Sequence, residues 1–223
     1  MSDETFIKGR LVSLRRPDLD KDVLQGNWHS WFNDARITEF LEHGAFPITR
    51  QEEADILASA MRQSSNLILA VVDNADGSVV GTVSLKGINH IQRRAEIAIV
   101  MGFKNPPGAA LEAMALMTRH AFDRLSLQKL YAGQHESLWK WVNTLGTIGY
   151  RVEGYRENYG FRNGQPYGAL LTGITSEQFY NLQASRNGDV LGGDALATAK
   201  KRSSKNPVPV LKEMFQSLSG GNS

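Results

Sequence analysis

No cysteine occurs in the 223 residues. That absence excludes a disulfide framework, a thiolate metal site and a cysteine nucleophile, and it suits a reducing compartment, so a cytoplasmic location is expected. Long apolar runs are also missing. The best of them, residues 67–72, falls far short of the ~20 residues that span a bilayer, and no membrane partner is expected. The opening Met1-Ser2-Asp3-Glu4 is polar and acidic and does not read as the start of a signal peptide. His29, His43, His90, His120 and His135 are scattered, with no pair at ligand spacing, so no metal is expected. A nucleophile elbow, a G-x-x-x-x-G-K-[ST] loop and a dinucleotide fingerprint are all absent.

What is present is an ordinary globular composition, 41% hydrophobic and 22% charged, long enough for one sizeable core. The net charge of +2 is uneven. From Ala184 onward the basic residues Arg186, Lys200, Lys201, Arg202, Lys205 and Lys212 outnumber the acids Asp189, Asp194 and Glu213. No aromatic residues interleave with these basic ones as a stacking platform requires, so nucleic acid is an unlikely partner and a solvated extension is the plainer reading. The chain is read as a domain over 1–183 and a polar, basic, partly flexible extension over 184–223. Within that extension, residues 208–218 keep enough apolar side chains to dock on the body or on a partner, and a homodimer is left open.

Periodicity predicts a first strand over 9–16, stopped by Pro17, then a helix capped by Asp18 and an apolar stripe through Trp28, Trp31 and Phe32. A short helical stretch over 37–41 precedes a break at 43–47. Thr49 and Glu52 have the spacing of a capping box for a helix that buries Ala54, Leu57, Ala58 and Met61. Strands follow over 67–73, 79–88 and 95–101. The last of these is nearly all apolar, which implies that both faces are covered, and Glu96 is its only ionisable residue. Leu111, Met114, Ala115, Thr118, Ala121, Phe122 and Leu125 mark the clearest helix, with Pro106 or Pro107 suited to its first turn. A strand over 129–133, a helix over 137–145, strands over 152–155 and 167–175 and a helix capped by Ser176 complete the reading.

The unit from Glu96 to Leu125 carries the chemistry. A helix start exposes unpartnered N–H groups and partial positive charge, and Gly108, Ala109 and Ala110 let a phosphate approach them. Glu96 is the candidate base, because an amine must lose its proton to attack a carbonyl, and burial on an apolar strand would raise a carboxyl pKa.

Several pieces, in order, resemble the RimJ/RimL-type branch of the GNAT N-acetyltransferases. They are Trp31 to Asn33-Asp34, Val80-Gly81-Thr82-Val83, Arg93-Arg94-Ala95-Glu96-Ile97, Leu111-Glu112-Ala113 with His120-Ala121-Phe122, Ile148-Gly149-Tyr150, and Asn163-Gly164-Gln165-Pro166-Tyr167. The resemblance implies an α+β GNAT fold, a mixed but mainly antiparallel sheet flanked by helices, with acetyl-CoA as cosubstrate. Pantetheine would pair with Ile99, Val100 and Met101, and the pyrophosphate would sit on Asn105, Gly108, Ala109 and Ala110. Asn33, Asp34 and Phe40 would wall the acceptor pocket. The chain departs from the family in two places. Its phosphate loop reads Asn105-Pro106-Pro107-Gly108-Ala109-Ala110, without the leading Arg or Gln, and Lys104 could supply that charge. The Tyr five residues before the aromatic of the "GF" pair is replaced by Leu145, which leaves Tyr155, or Tyr159, as the substitute acid.

Three functions stand in competition: N-acetylation of a small-molecule amine such as an amino sugar, which is favoured; acetylation of a peptide N-terminus; and a CoA-binding or interaction module with little catalysis.

Overall fold

The computed structural model describes residues 5–41, 44–191 and 205–219, which fall into two units, Met1–Leu127 and Gln128–Ser223. His43, Asp194, Lys200, Lys201, Arg202 and the closing residues 220–223, on which parts of the sequence reading fell, lie outside the described residues.

In the first unit five strands run as an antiparallel meander: β1 (Ile7–Lys8), β2 (Val12–Arg15), β3 (Leu67–Asp73), β4 (Val79–Asn89) and β5 (Arg94–Met101). The expected strand over 9–16 is shorter, because residues 10 and 11 form the turn out of β1. The carboxylate of Glu112 holds that turn, accepting the N–H groups of Arg10, Leu11 and Val12 at 2.8, 2.7 and 2.9 Å. Ala70 and Ile68 of β3 face a cluster built from Val23, Trp28, Trp31, Ala54 and Leu57. The alternate residues Leu69 and Val71 are buried too, so both faces of β3 are covered.

Asp18 caps a six-residue helical turn, Leu19–Leu24, accepting the N–H groups of Asp20 and Lys21. Helix α1 (Trp28–Phe32) follows. Helix α2 covers Ala35–Thr38 rather than 37–41, because Asp34 is placed to cap it. Helix α3 (Arg50–Arg62) carries the expected capping box, with Thr49 and Glu52 serving each other's backbone. Helix α4 (Ala109–Asp123) starts two residues later than the prolines suggest. Gly108, at φ 94°, is its cap, and Pro106 and Pro107 lie outside the helix. A left-handed cap suits glycine, so the chain turns after the prolines rather than at them.

Sequence reading missed the burial of Glu53 on α3. Only 6% exposed, it accepts a 3.0 Å hydrogen bond from the Trp28 indole. Burial pushes its pKa up from 4.5 to about 6, with the indole bond opposing. Between those values the folded chain holds a proton that the unfolded chain has released, so stability falls as pH rises through this window. The total loss is about 2 kcal/mol, and it is complete above the folded pKa. Unfolding midpoints measured from pH 4 to 7 should show this decline in the natural chain and a flatter curve in Glu53→Gln. Equal slopes in the two proteins would exclude Glu53 as the source.

In the second unit β6 (Lys129–His135) and β7 (Arg151–Arg162) both pair antiparallel with a central β8 (Gln165–Thr175). Strand β7 is much longer than the expected 152–155, and β8 starts two residues before the expected 167. They form one hairpin closed by Asn163 and Gly164, whose φ values of 51° and 74° suit a two-residue turn. Helix α5 (Trp139–Leu145) is flanked by tight helical turns and stopped at Gly149, φ 99°. Helix α6 (Ser176–Ala184) is capped by Thr175, one residue before the expected Ser176, because Thr175 and Gln178 form a second capping box. Helix α7 (Val208–Ser219) docks on the body of this unit. Its Val208, Leu211 and Phe215 pack with Val142, Tyr155, Leu170 and Trp139.

Candidate active site

Strand β5 pairs with β4 along one edge, Val100 opposite Thr82 and Ile99 opposite Val83. The Gly102 N–H donates to the Val80 carbonyl at 2.8 Å, which fixes the phase of the ladder. Backbone groups alternate along an antiparallel strand, so Val100 turns its N–H and C=O to β4 while Ile99 and Met101 turn theirs to the opposite edge. Of the three residues expected to pair with pantetheine, these two present the outward groups. All three are half-buried.

The strand runs into the loop that opens α4. The Asn105 side chain donates to the Gly102 carbonyl at 2.6 Å and tightens this loop. The Ala109 N–H is committed to the Pro106 carbonyl at 3.0 Å, and the helical ladder begins with Glu112 N–H to Gly108 C=O at 2.9 Å. The N–H groups of Gly108, Ala110 and Leu111 stand ahead of that ladder, at the positive end of a 15-residue helix. Lys104, exposed nearby in the same loop, adds a cation. These residues fit a phosphate group, with the N–H of Ala109 already used.

The three residues expected to wall an acceptor pocket separate in the structure. Asp34 lines a cavity of about 630 Å³ within this unit, together with Trp31, Asp73, Asp76, Lys104 and Asn105. Asn33 and Phe40 are not part of its lining. Asn33 instead pins the segment before α3: it accepts the Ile48 N–H at 3.1 Å and donates to the Ile48 and His29 carbonyls. Phe40 is half-buried just beyond α2. Asp34 caps α2 through the Arg36 N–H and binds the Arg36 guanidinium at 2.7 Å. The Arg36 hydrogen bonds hold its carboxyl below the usual carboxylate range. Asp76 is lowered in the same direction by hydrogen bonds from Ser78. Sequence reading did not single out Asp73, the last residue of β3, or Asp76, because their place in one cavity lining with Asp34 depends on how β3 and β4 pack beside α1.

Glu96 does not have the burial expected of it. Residues 94–97 alternate exposed, buried, exposed, buried, and Glu96 lies on the open face opposite Lys86. The apolar run suggested two covered faces, but the alternation of the strand places Arg94 and Glu96 together on the open side.

Tyr155 belongs to the second unit. It is 5% exposed, and its hydroxyl donates to Glu136 at 2.6 Å. Glu136, which the sequence reading did not single out, also accepts the Gly168 N–H at 3.0 Å and pairs with Lys212 of α7 at 2.8 Å. Burial pushes the Tyr155 hydroxyl pKa up, and the bond to Glu136 adds to it. Burial pushes the Glu136 carboxyl up as well, but hydrogen bonds from Lys212, Tyr155 and Gly168 outweigh it and leave the pKa lowered. Tyr159 is exposed, with its ring edge-on to Tyr167 at 6.3 Å. Among the described residues no group of three His, Asp or Glu is arranged to hold a metal, and no helix is long and apolar enough to cross a membrane.

The antiparallel meander thus ends in a strand with outward backbone groups and runs into a glycine-started helix, an arrangement suited to an extended, amide-bearing arm that ends in a phosphate. The chain belongs to the GNAT acetyltransferases, whose domain model, "Acetyltransferase (GNAT) domain", matches residues 12–151.

The spermidine N(1)-acetyltransferase of Escherichia coli (strain K12) is 33% identical over 109 residues, 48% of this chain and 59% of that protein. The chain thus matches somewhat more than half the length of that relative. Among solved structures, a GCN5-related N-acetyltransferase from Brucella melitensis superposes with TM-score 0.68 at 21% identity, covering 85% of this chain and 86% of that one. A spermidine N-acetyltransferase from Vibrio cholerae, solved with CoA and spermine, gives TM-score 0.69 at 21% identity, covering 77% and 99%. At these identities the likeness carries the fold.

Proposed function

We propose that this chain is a cytoplasmic, RimJ/RimL-like N-acetyltransferase that takes acetyl-CoA as cosubstrate and a small, multiply charged primary amine as acceptor. The observation that carries the reading is the continuity of the β5 edge with the start of α4. Outward groups on Ile99 and Met101 suit the amide-bearing pantetheine arm, and the N–H groups of Gly108, Ala110 and Leu111 suit the pyrophosphate. Acetyl-CoA, when bound, supplies an activated thioester carbonyl. A strand N–H aimed at that carbonyl oxygen would stabilise the negative charge that develops on attack.

A polyamine is favoured over the amino sugar as acceptor because the cavity lining has Asp73 and Asp76, besides an Asp34 already held by Arg36, against the single cation Lys104. The named activity of the Escherichia coli relative points the same way. Glu96 is retained as the group that receives the amine proton from the solvent side of β5.

Thermal unfolding with acetyl-CoA tests the first half. Ligand at 100 times its dissociation constant should add about 2.7 kcal/mol of stability. No shift at millimolar acetyl-CoA would sink the reading. CoA release should then be faster with spermidine than with amino sugars or peptides. A shift without release on any amine would leave a CoA-binding module. Glu96→Gln should lower the rate at neutral pH and recover part of it at higher pH, and an unaltered pH–rate profile would remove Glu96 from the role.

A further inference from the structure

Arg36 engages two partners at once. Its Nε and Nη2 bind the two Asp34 carboxylate oxygens at 3.0 and 2.7 Å, and its guanidinium carbon lies 4.1 Å from the centroid of the Phe103 ring. Asp34 is itself fixed, since the same oxygen that takes Nε also accepts the Arg36 N–H at 2.9 Å. A carboxylate anchored to backbone therefore holds a planar cation, and the cation holds an aromatic ring.

That ring opens the loop that leads to Gly108. Phe103 is 57% exposed, so core packing does not account for its place. The residue before it is backed from the other side: a Cβ on Gly102 would stand 2.7 Å from the Trp31 indole nitrogen. Gly102 and Phe103 are thus braced by α1 and α2 respectively, next to the Asn105 bond that closes the loop on Gly102.

The geometry points to Arg36 as a positioning residue: the Asp34–Arg36–Phe103 clip ties the cosubstrate loop to the helices that wall the cavity. Asp34 acts through Arg36, not by direct contact with the amine. The inference rests on the acetyl-CoA reading given above. It predicts that breaking either end of the clip weakens the grip on CoA without altering the chemistry on a bound pair of substrates.

The test is calorimetric titration of the full-length chain with CoA, comparing the natural protein with Arg36→Ala, Phe103→Ala, Phe103→Tyr and the double alanine variant. Either alanine should raise the dissociation constant about fivefold, the size of an exposed cation–π contact with its loop ordering. Phe103→Tyr keeps an aromatic face and should bind as the natural chain does. The double variant should lose no more than either single one, because both cuts break the same contact. KM for acetyl-CoA should rise in step, with kcat held within about twofold. Without ligand, the amides of Lys104 and Asn105 should exchange faster in Arg36→Ala. Both side chains are exposed, so the variants should keep the natural unfolding midpoint. If the natural chain does not bind CoA, the acetyl-CoA reading itself fails. If it binds and the single variants bind equally well, the clip alone is overturned. Additive losses in the double variant would also overturn it.

Discussion

Replacing Glu112 by alanine should destabilise the first unit by about 3–5 kcal/mol, the range for removing the charged partner from a buried polar cluster. Glu112 is 3% exposed, and its two oxygens take three consecutive backbone N–H groups, Arg10 to one and Leu11 and Val12 to the other. The Arg10 guanidinium, at 3.9 Å and with its side chain 61% exposed, adds little. Alanine would leave three donors without their acceptor, the Val12 N–H buried and those of Arg10 and Leu11 part-buried, beside a tight contact: an added Cβ on Gly9 would stand 2.8 Å from Leu116. Glutamine tests the charge. It keeps the shape but puts an NH₂ where one or two N–H groups point, so Glu112→Gln should recover less than half of the loss. Urea unfolding followed by tryptophan fluorescence suits the measurement, since Trp28 and Trp31 are buried in this unit. A loss below about 1 kcal/mol for the alanine variant would mean that water takes over the acceptor role. Because Glu112 lies in the first turn of α4, the variant should also show a smaller stabilisation by acetyl-CoA.

Nothing in the sequence around Glu112 announces this role. An acid in the first turn of a helix is ordinary, and its partners lie about a hundred residues away. The features that could be read were those whose physics is local. Thr49 and Glu52 form their box within one turn, the α4 stripe needs only a helical period, and Asn163-Gly164 closes a hairpin by its own backbone preference. Glu96 was misjudged for a related reason. Apolarity in residues 95–101 is real, but whether the far face is covered depends on elements the strand does not contain. The length of β7 was hidden because Arg156, Glu157 and Asn158 are polar and exposed, and a ribbon with an open face needs no apolar signal there. The docking of α7 was half legible. Its apolar side chains were visible, but Glu136 is an isolated acid until β7, β8 and α7 converge on it.

That convergence makes Gly168→Ala the second large effect, with an expected loss of about 2–4 kcal/mol in the second unit. The backbone at Gly168 is not left-handed, so the change introduces no conformational strain and the cost is steric. A Cβ there would overlap the Tyr155 hydroxyl oxygen and Cζ and lie 2.7 Å from Cε2. Tyr155 cannot shift locally. Its ring packs with Val142, Leu170 and Val208, and its hydroxyl is held on a carboxylate that Lys212 and Gly168 also bind. Moving the ring therefore breaks the Glu136 bond and loosens the seat of α7 together. Removing the hydroxyl alone, in Tyr155→Phe, should cost only about 1–2 kcal/mol, because Glu136 keeps its other two donors. The two effects separate in a cycle. In a Tyr155→Ala background the ring is gone, so adding Gly168→Ala should cost almost nothing further. If the Gly168 penalty persists in that background, it arises from the backbone and not from the ring. If Gly168→Ala is mild even with Tyr155 present, the ring has a second position, and the Glu136 network is not what seats the C-terminal helix.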